Sequence, residues 1–121
     1  MNETPSRIAA LRDSMSRAGL SAFLVTEPGN RRYLTGFTGS AGLLLVLQDS
    51  LPFLVDSRYY EQVPREAPDL GLEKVGYQPL PRLAEILRER GIHEVGFEPE
   101  HATVETLRKW REQVEGVTWK P

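Results

Sequence analysis

From residue 36 the chain reads Gly36-Phe37-Thr38-Gly39-Ser40-Ala41-Gly42 and passes directly into the apolar run Leu43 to Leu47. Glycines at every third position make a loop whose backbone can come unusually close to a neighbouring segment. The run behind it is apolar at every position, which specifies a strand buried on both faces and central to a sheet. Leu51 to Val55 then forms a second strand, joined to the first through Gln48-Asp49-Ser50, a hairpin of ordinary loop length. The charged sequence Asp56-Ser57-Arg58-Tyr59-Tyr60 opens the helix that follows.

The rest of the chain supplies the cover for such a sheet. Thr4-Pro5 reads as an N-cap with proline at the first helical position, and Ile8, Leu11, Met15 and Ala18 recur at helical spacing up to Gly19. Leu20 to Thr26 reads as a strand and Asn30 to Thr35 as a helical turn. Asp56 to Arg65 predicts a helix, kinked or cut short at Pro64 and stopped by Pro68. Leu72 to Tyr77 alternates as a strand does. Pro81 to Arg90 turns Leu83, Ala84, Ile86 and Leu87 inward, with Gly91 as its cap. Glu94 to Phe97 reads as a strand, Thr103 to Glu115 as a helix with Val104, Leu107, Trp110 and Val114 on its stripe, and Val117 to Trp119 as a short strand. The fold class is α/β: a mixed β-sheet of about five to six strands flanked by helices.

Composition narrows the function classes. A chain of 121 residues is expected to form one domain over residues 1–121, with 40% hydrophobic and 26% charged residues. Its net charge of -2 offers no basic surplus for nucleic acid. It has no cysteine, which excludes disulfide and thiolate chemistry and fits a cytoplasmic location. The N-terminus is polar and has no apolar h-region, so no signal peptide is expected, and no apolar run approaches a membrane span.

The glycine loop is a poor phosphate cradle, because it enters a strand rather than a helix N-terminus and lacks a Gly-Lys-Ser/Thr ending. Asp56 can accept free N–H groups of the first turn as an N-cap does. Arg58 sits against the positive end of a helix, which disfavours a cation by roughly 0.3–1 kcal/mol. Two readings follow: an internal pair with Asp56 or Glu61, or a guanidinium aimed at an anionic ligand or partner. Tyr33, Phe37, Tyr59 and Tyr60 are expected as core aromatics that could also wall an apolar cleft. Arg31 and Arg32 read as a solvated face. His93 and His101 fall in no metal-ligand spacing, and no Ser/His/Asp constellation is evident.

The string Asn30-x-x-Tyr33-Leu34-Thr35-Gly36-Phe37-x-Gly39-Ser40-Ala41-Gly42, followed by Asp56-x-Arg58-Tyr59 and Gln62, resembles the N-terminal domain of the creatinase/prolidase/aminopeptidase P family. The likeness is closest to Xaa-Pro aminopeptidases and prolidases. It implies a noncatalytic domain that precedes a separate catalytic domain, gates the substrate site and supports a homo-oligomer. In that second domain two divalent metal ions (manganese, cobalt or zinc) would be held by aspartates, a histidine and glutamates, none of which can be placed on this chain. The resemblance also implies that Arg58 binds a short proline-containing peptide, with Tyr59 beside it and Asp56 orienting it. The chain is then expected to be an excised N-terminal domain, or a free-standing binding module of the same fold. An N-terminal domain of a creatinase-like amidinohydrolase is the remaining alternative.

Overall fold

A computed structural model describes residues 3–121; Met1 and Asn2, the start of the polar N-terminus, lie outside the described residues. In chain order the elements are α1 (Thr4–Arg17), β1 (Ala22–Val25), α2 (Pro28–Thr35), β2 (Leu43–Leu47) and β3 (Pro52–Val55). A 3-10 turn (Ser57–Tyr59) follows, then α3 (Gln62–Glu66), β4 (Gly71–Lys74), α4 (Leu80–Glu89), β5 (Glu94–Phe97), α5 (Val104–Gln113) and β6 (Thr118–Lys120). The six strands form one sheet in the order β4-β3-β2-β1-β5-β6. β2 runs antiparallel to both β1 and β3, whereas β1–β5, β3–β4 and β5–β6 are parallel. The sheet is therefore mixed, as the early hairpin and the later strand–helix alternation require.

Alternation along the central strands divides the core between two faces. Leu45 and Leu47 of β2 and Leu54 of β3 point to the side covered by α4 and α5, where they meet Leu83, Leu87 and Trp110. Leu44 and Val46 of β2, with Phe53 and Val55 of β3, point to the side covered by α1, α2 and α3. There they meet Ile8, Met15, Leu34, Phe37, Tyr59 and Val63. β2 is inside the sheet and buried from Leu44 onward, which accounts for its lack of polar residues.

Several boundaries differ from the sequence reading. Glu3, not Thr4, is the N-cap of α1, and its side chain makes no capping bond. The expected helix from Asp56 to Arg65 is two pieces: a 3-10 turn, then α3 beginning at Gln62. Pro64 does not end α3 but sits in its first turn, where a missing N–H has no intrahelical partner to lose. Val104 leaves the apolar stripe, being 88% exposed at the start of α5. Strand β4 begins at Gly71 and ends at Lys74, short of Tyr77.

Candidate functional site

The loop 36–42 joins α2 to β2 and is held from several sides. Gly36 ends α2 in the left-handed region at φ 81°, its N–H bonded to Arg32 O, a conformation that glycine adopts without a Cβ penalty. Phe37 then turns into the core, where it stands edge-on to Phe53 and Tyr59 with ring centroids 5.0 and 5.3 Å away. Gly39 passes so close to these rings that an added Cβ would lie 2.3 Å from Phe37 Cζ and 2.7 Å from Tyr59 Cε1.

Polar side chains complete the clamp. The Tyr59 hydroxyl lies 2.8 Å from Ser40 Oγ and accepts the Ser40 N–H at 3.2 Å. Its bond to the Ser40 hydroxyl holds the phenol below its usual pKa. Glu66 Oε1 accepts the Thr38 N–H at 2.9 Å, and Gln62 Nε2 donates to Glu66 Oε2 at 3.1 Å. Asn30 ties α2 to the end of β5, donating from Nδ2 to Glu98 Oε2 at 2.8 Å, while Glu98 Oε1 accepts the Thr26 and Glu27 N–H groups.

Arg31 corrects the sequence reading most sharply. It is 1% exposed rather than part of a solvated face. Its Nη2 donates to Gly39 O at 2.8 Å, and its Nη1 donates to Gly42 O at 3.1 Å and Thr26 O at 3.2 Å. The guanidinium thus fills the inside of the loop with charge-assisted donors, leaving Nε buried without a partner. Burial lowers its pKa, although an arginine at this site stays protonated. The signal was present in the sequence: Arg31, Leu34 and Thr35 have the i, i+3, i+4 spacing of an inward helical face, and all three are buried. Tyr33, expected in the core, is 57% exposed instead and lies under the Arg7 guanidinium at 4.1 Å.

Arg58 stands on the outer side of this clamp. Asp56 Oδ1 accepts from Arg58 Nε at 2.8 Å and from the Arg58 backbone N–H at 3.0 Å, and Oδ2 accepts from Nη2 at 2.8 Å. The internal partner is therefore Asp56, bidentate, rather than Glu61. The Arg58 side-chain bonds, reinforced by its N–H, depress the Asp56 carboxyl to about 2, and the carboxylate in turn raises Arg58 above its ordinary value. The pair is asymmetric in exposure: the Asp56 side chain is 10% exposed and that of Arg58 is 56%. Nη1 makes no hydrogen bond among the described residues. Tyr59 supports the guanidinium from below at 5.1 Å and is itself 8% exposed. Beside them opens a cleft of about 270 Å³ walled by Ala41, Gly42, Arg58, Val75, Gly76 and Tyr77. The loop and the Asp-x-Arg-Tyr segment thus meet in one place.

His93 and His101 are exposed, and among the described residues no three His, Asp or Glu side chains are grouped to hold a metal ion. Among the described residues, the side chains present do not fit the dinuclear metal group. Among the described residues no helix is long and apolar enough to cross a membrane.

The family model of the creatinase/prolidase N-terminal domain matches residues 7–121. The chain belongs to that family. It is 33% identical over 104 residues to the uncharacterized peptidase YqhT of Bacillus subtilis, covering 86% of this chain and 30% of that protein. It is 27% identical over 128 residues to a probable Xaa-Pro aminopeptidase P of Ajellomyces dermatitidis, covering 93% of this chain and 21% of the relative. The chain thus spans less than a third of the length of these relatives. Among solved structures it is similar to an Xaa-Pro aminopeptidase from Streptococcus pyogenes, with a TM-score of 0.91, 27% identity and coverage of 97% and 89% of the two chains. It is also similar to the N-terminal domain of the cytoplasmic peptidase PepQ from Mycobacterium tuberculosis, with a TM-score of 0.84, 33% identity and coverage of 95% and 89%.

Proposed function

We propose that this family member is the noncatalytic N-terminal domain of an Xaa-Pro peptidase of aminopeptidase P or prolidase type. In this reading a C-terminal catalytic domain of the same protein holds the divalent metals, which supply the activated water. The N-terminal domain lines and narrows the substrate cleft, contributes to a homo-oligomer and works in the cytoplasm. Arg58 meets the bound peptide, and Tyr59 holds Arg58 and the glycine loop in register from beneath.

One observation carries this reading. The Arg58 guanidinium is fixed along one edge by a buried carboxylate, its Nη1 makes no hydrogen bond among the described residues, and the residue lines the cleft beside Ala41 and Gly42. A guanidinium held that way is oriented before a ligand arrives, so less side-chain freedom is lost on binding. Steady-state hydrolysis of an Ala-Pro peptide by the full-length protein tests it. Arg58→Ala is expected to lower kcat/KM roughly 10-fold or more with the fold intact at the assay temperature, although Asp56 loses its partner; the drop is the scale of a lost charge-assisted hydrogen bond of about 1.5–3 kcal/mol. Unchanged kinetics would return Arg58 to a purely local role.

A further inference from the structure

An open sheet with helices on both faces offers a ligand crevice outside the carboxyl ends of neighbouring strands whose following helices lie on opposite sides. β1 and β5 are such a pair. They run parallel; α2 follows β1 onto the face shared with α1, and α5 follows β5 onto the other. The crevice between them is bounded by Thr26 and Glu27 after β1, by Asn30 in the first turn of α2 and by Glu98 after β5. Two main-chain N–H groups beside a helix N-terminus converge there, a setting that suits a negative charge.

The chain supplies that charge itself. Glu98 Oε1 accepts the Thr26 N–H at 2.7 Å, the Glu27 N–H at 3.1 Å and the Thr26 hydroxyl at 3.2 Å, and Oε2 accepts Asn30 Nδ2 at 2.8 Å. Donors 68 to 72 residues away in the chain thus close on one carboxylate, each through a charge-assisted bond. Thr26 also binds on its other side: its carbonyl accepts Arg31 Nη1 at 3.2 Å, and the same guanidinium holds the Gly39 and Gly42 oxygens of the glycine loop. Asn30 immediately precedes Arg31 in α2. Both residues that grip Glu98 with their side chains are therefore tied to the residue that grips the loop. Arg31 donates to backbone oxygens only, and the charges of Glu27 and Glu98 act on it from farther off. Loss of the Glu98 side chain would leave its donors without an acceptor and the buried guanidinium with one counter-charge fewer.

We propose that the crevice between β1 and β5 is a carboxylate-binding site whose resident ligand is the chain's own Glu98, and that Glu98 is a positioning residue for the glycine loop, acting through Thr26, Asn30 and Arg31. A nucleotide or free phosphate finds this crevice closed. Glu98 acts in this way whatever reaction the parent protein carries out.

The test follows amide hydrogen exchange and the Arg31 guanidinium signals of the 121-residue chain by NMR, with formate as the probe. In Glu98→Ala the Thr26 and Glu27 amides, and the Ser40 amide of the loop, should exchange about 10-fold faster or more, the scale of a lost charge-assisted bond. The Arg31 signals should shift with them. Sodium formate should reverse both changes with half-saturation at about 1 mM or above, the limit for a ligand of so few heavy atoms. Sodium chloride at equal ionic strength should not. Glu98→Gln, which keeps the shape and one acceptor oxygen, should speed the same amides about 5-fold, and formate should not slow them because the crevice stays filled. A Ser40 amide exchanging as in wild type in both variants would overturn the positioning role. A Glu98→Ala protein indifferent to formate, or equally responsive to chloride, would overturn the carboxylate site. Should Glu98→Ala be unfolded without the anion, folding induced by formate and not by chloride supports the site, and its absence overturns it.

Discussion

Replacing Arg31 by alanine should damage this domain more than replacing any solvent-exposed arginine on its surface. Three backbone oxygens, those of Thr26, Gly39 and Gly42, take their hydrogen bonds from this one guanidinium. A buried carbonyl left without a donor costs about 1–3 kcal/mol, so three set a ceiling near 9 kcal/mol. Water entering the vacated space would satisfy part of that demand, and removing a desolvated charge recovers some free energy. The net loss should be about 3–5 kcal/mol, the scale seen when a buried charged partner is deleted. For a chain of 121 residues, that corresponds to a fall in Tm of roughly 10–20 °C. Arg31→Lys should fall between, because one ammonium cannot serve the same oxygens in a planar fork. Neighbouring Arg32 is exposed, and Arg32→Ala should change stability by no more than about 0.5 kcal/mol. Urea unfolding followed by circular dichroism gives all three values. If Arg31→Ala lost no more than Arg32→Ala, the guanidinium would not be organising the loop and the argument would fail.

Gly39→Ala places a methyl 2.3 Å from Phe37 Cζ, so a core ring must shift; a loss of about 1–3 kcal/mol is expected, read as a lower urea midpoint. Asp56 supplies a pH signature: its folded pKa is depressed to about 2 from an ordinary value of 3.8, so it contributes stability above pH 4 that disappears as pH falls through about 2. The stability difference between wild type and Asp56→Asn should therefore be flat above pH 5 and shrink between pH 4 and 2. A difference independent of pH across that window would mean the carboxylate does not depend on Arg58 for its ionisation.

The mixed sheet was legible because its central strands carry the information locally. Leu43 to Leu47 has no polar residue to offer solvent, and the short hairpin to Leu51 fixes an antiparallel neighbour. The helix expected from Asp56 to Arg65 was misread at its start, where Ser57–Tyr59 winds as a 3-10 turn, a change of hydrogen bonding that the apolar pattern does not show. Val104 fits a helical stripe by spacing, but it is the first residue of α5 and is exposed there. In the candidate site, local spacing offered Asp56 and Glu61 as internal partners of Arg58, and Asp56, two residues away, is the one that pairs. The reach of Arg31 across 8 and 11 residues to Gly39 and Gly42 did not follow from any local rule. Two adjacent arginines look alike in a sequence, and only the i, i+3, i+4 relation to Leu34 and Thr35 separates the buried one from the wet one.

Arg31 binds only main-chain oxygens, and this has a consequence for how the domain ages and travels. Such a contact has no titratable partner, so mild acid cannot discharge it, and no side-chain substitution at Thr26, Gly39 or Gly42 removes the atoms it grips. The inner anchor of the loop should therefore outlast the outer pair in acid, keeping its shape after Asp56 has taken up a proton. Evolution can alter what the wall displays to its visitor while the peg behind it stays in place.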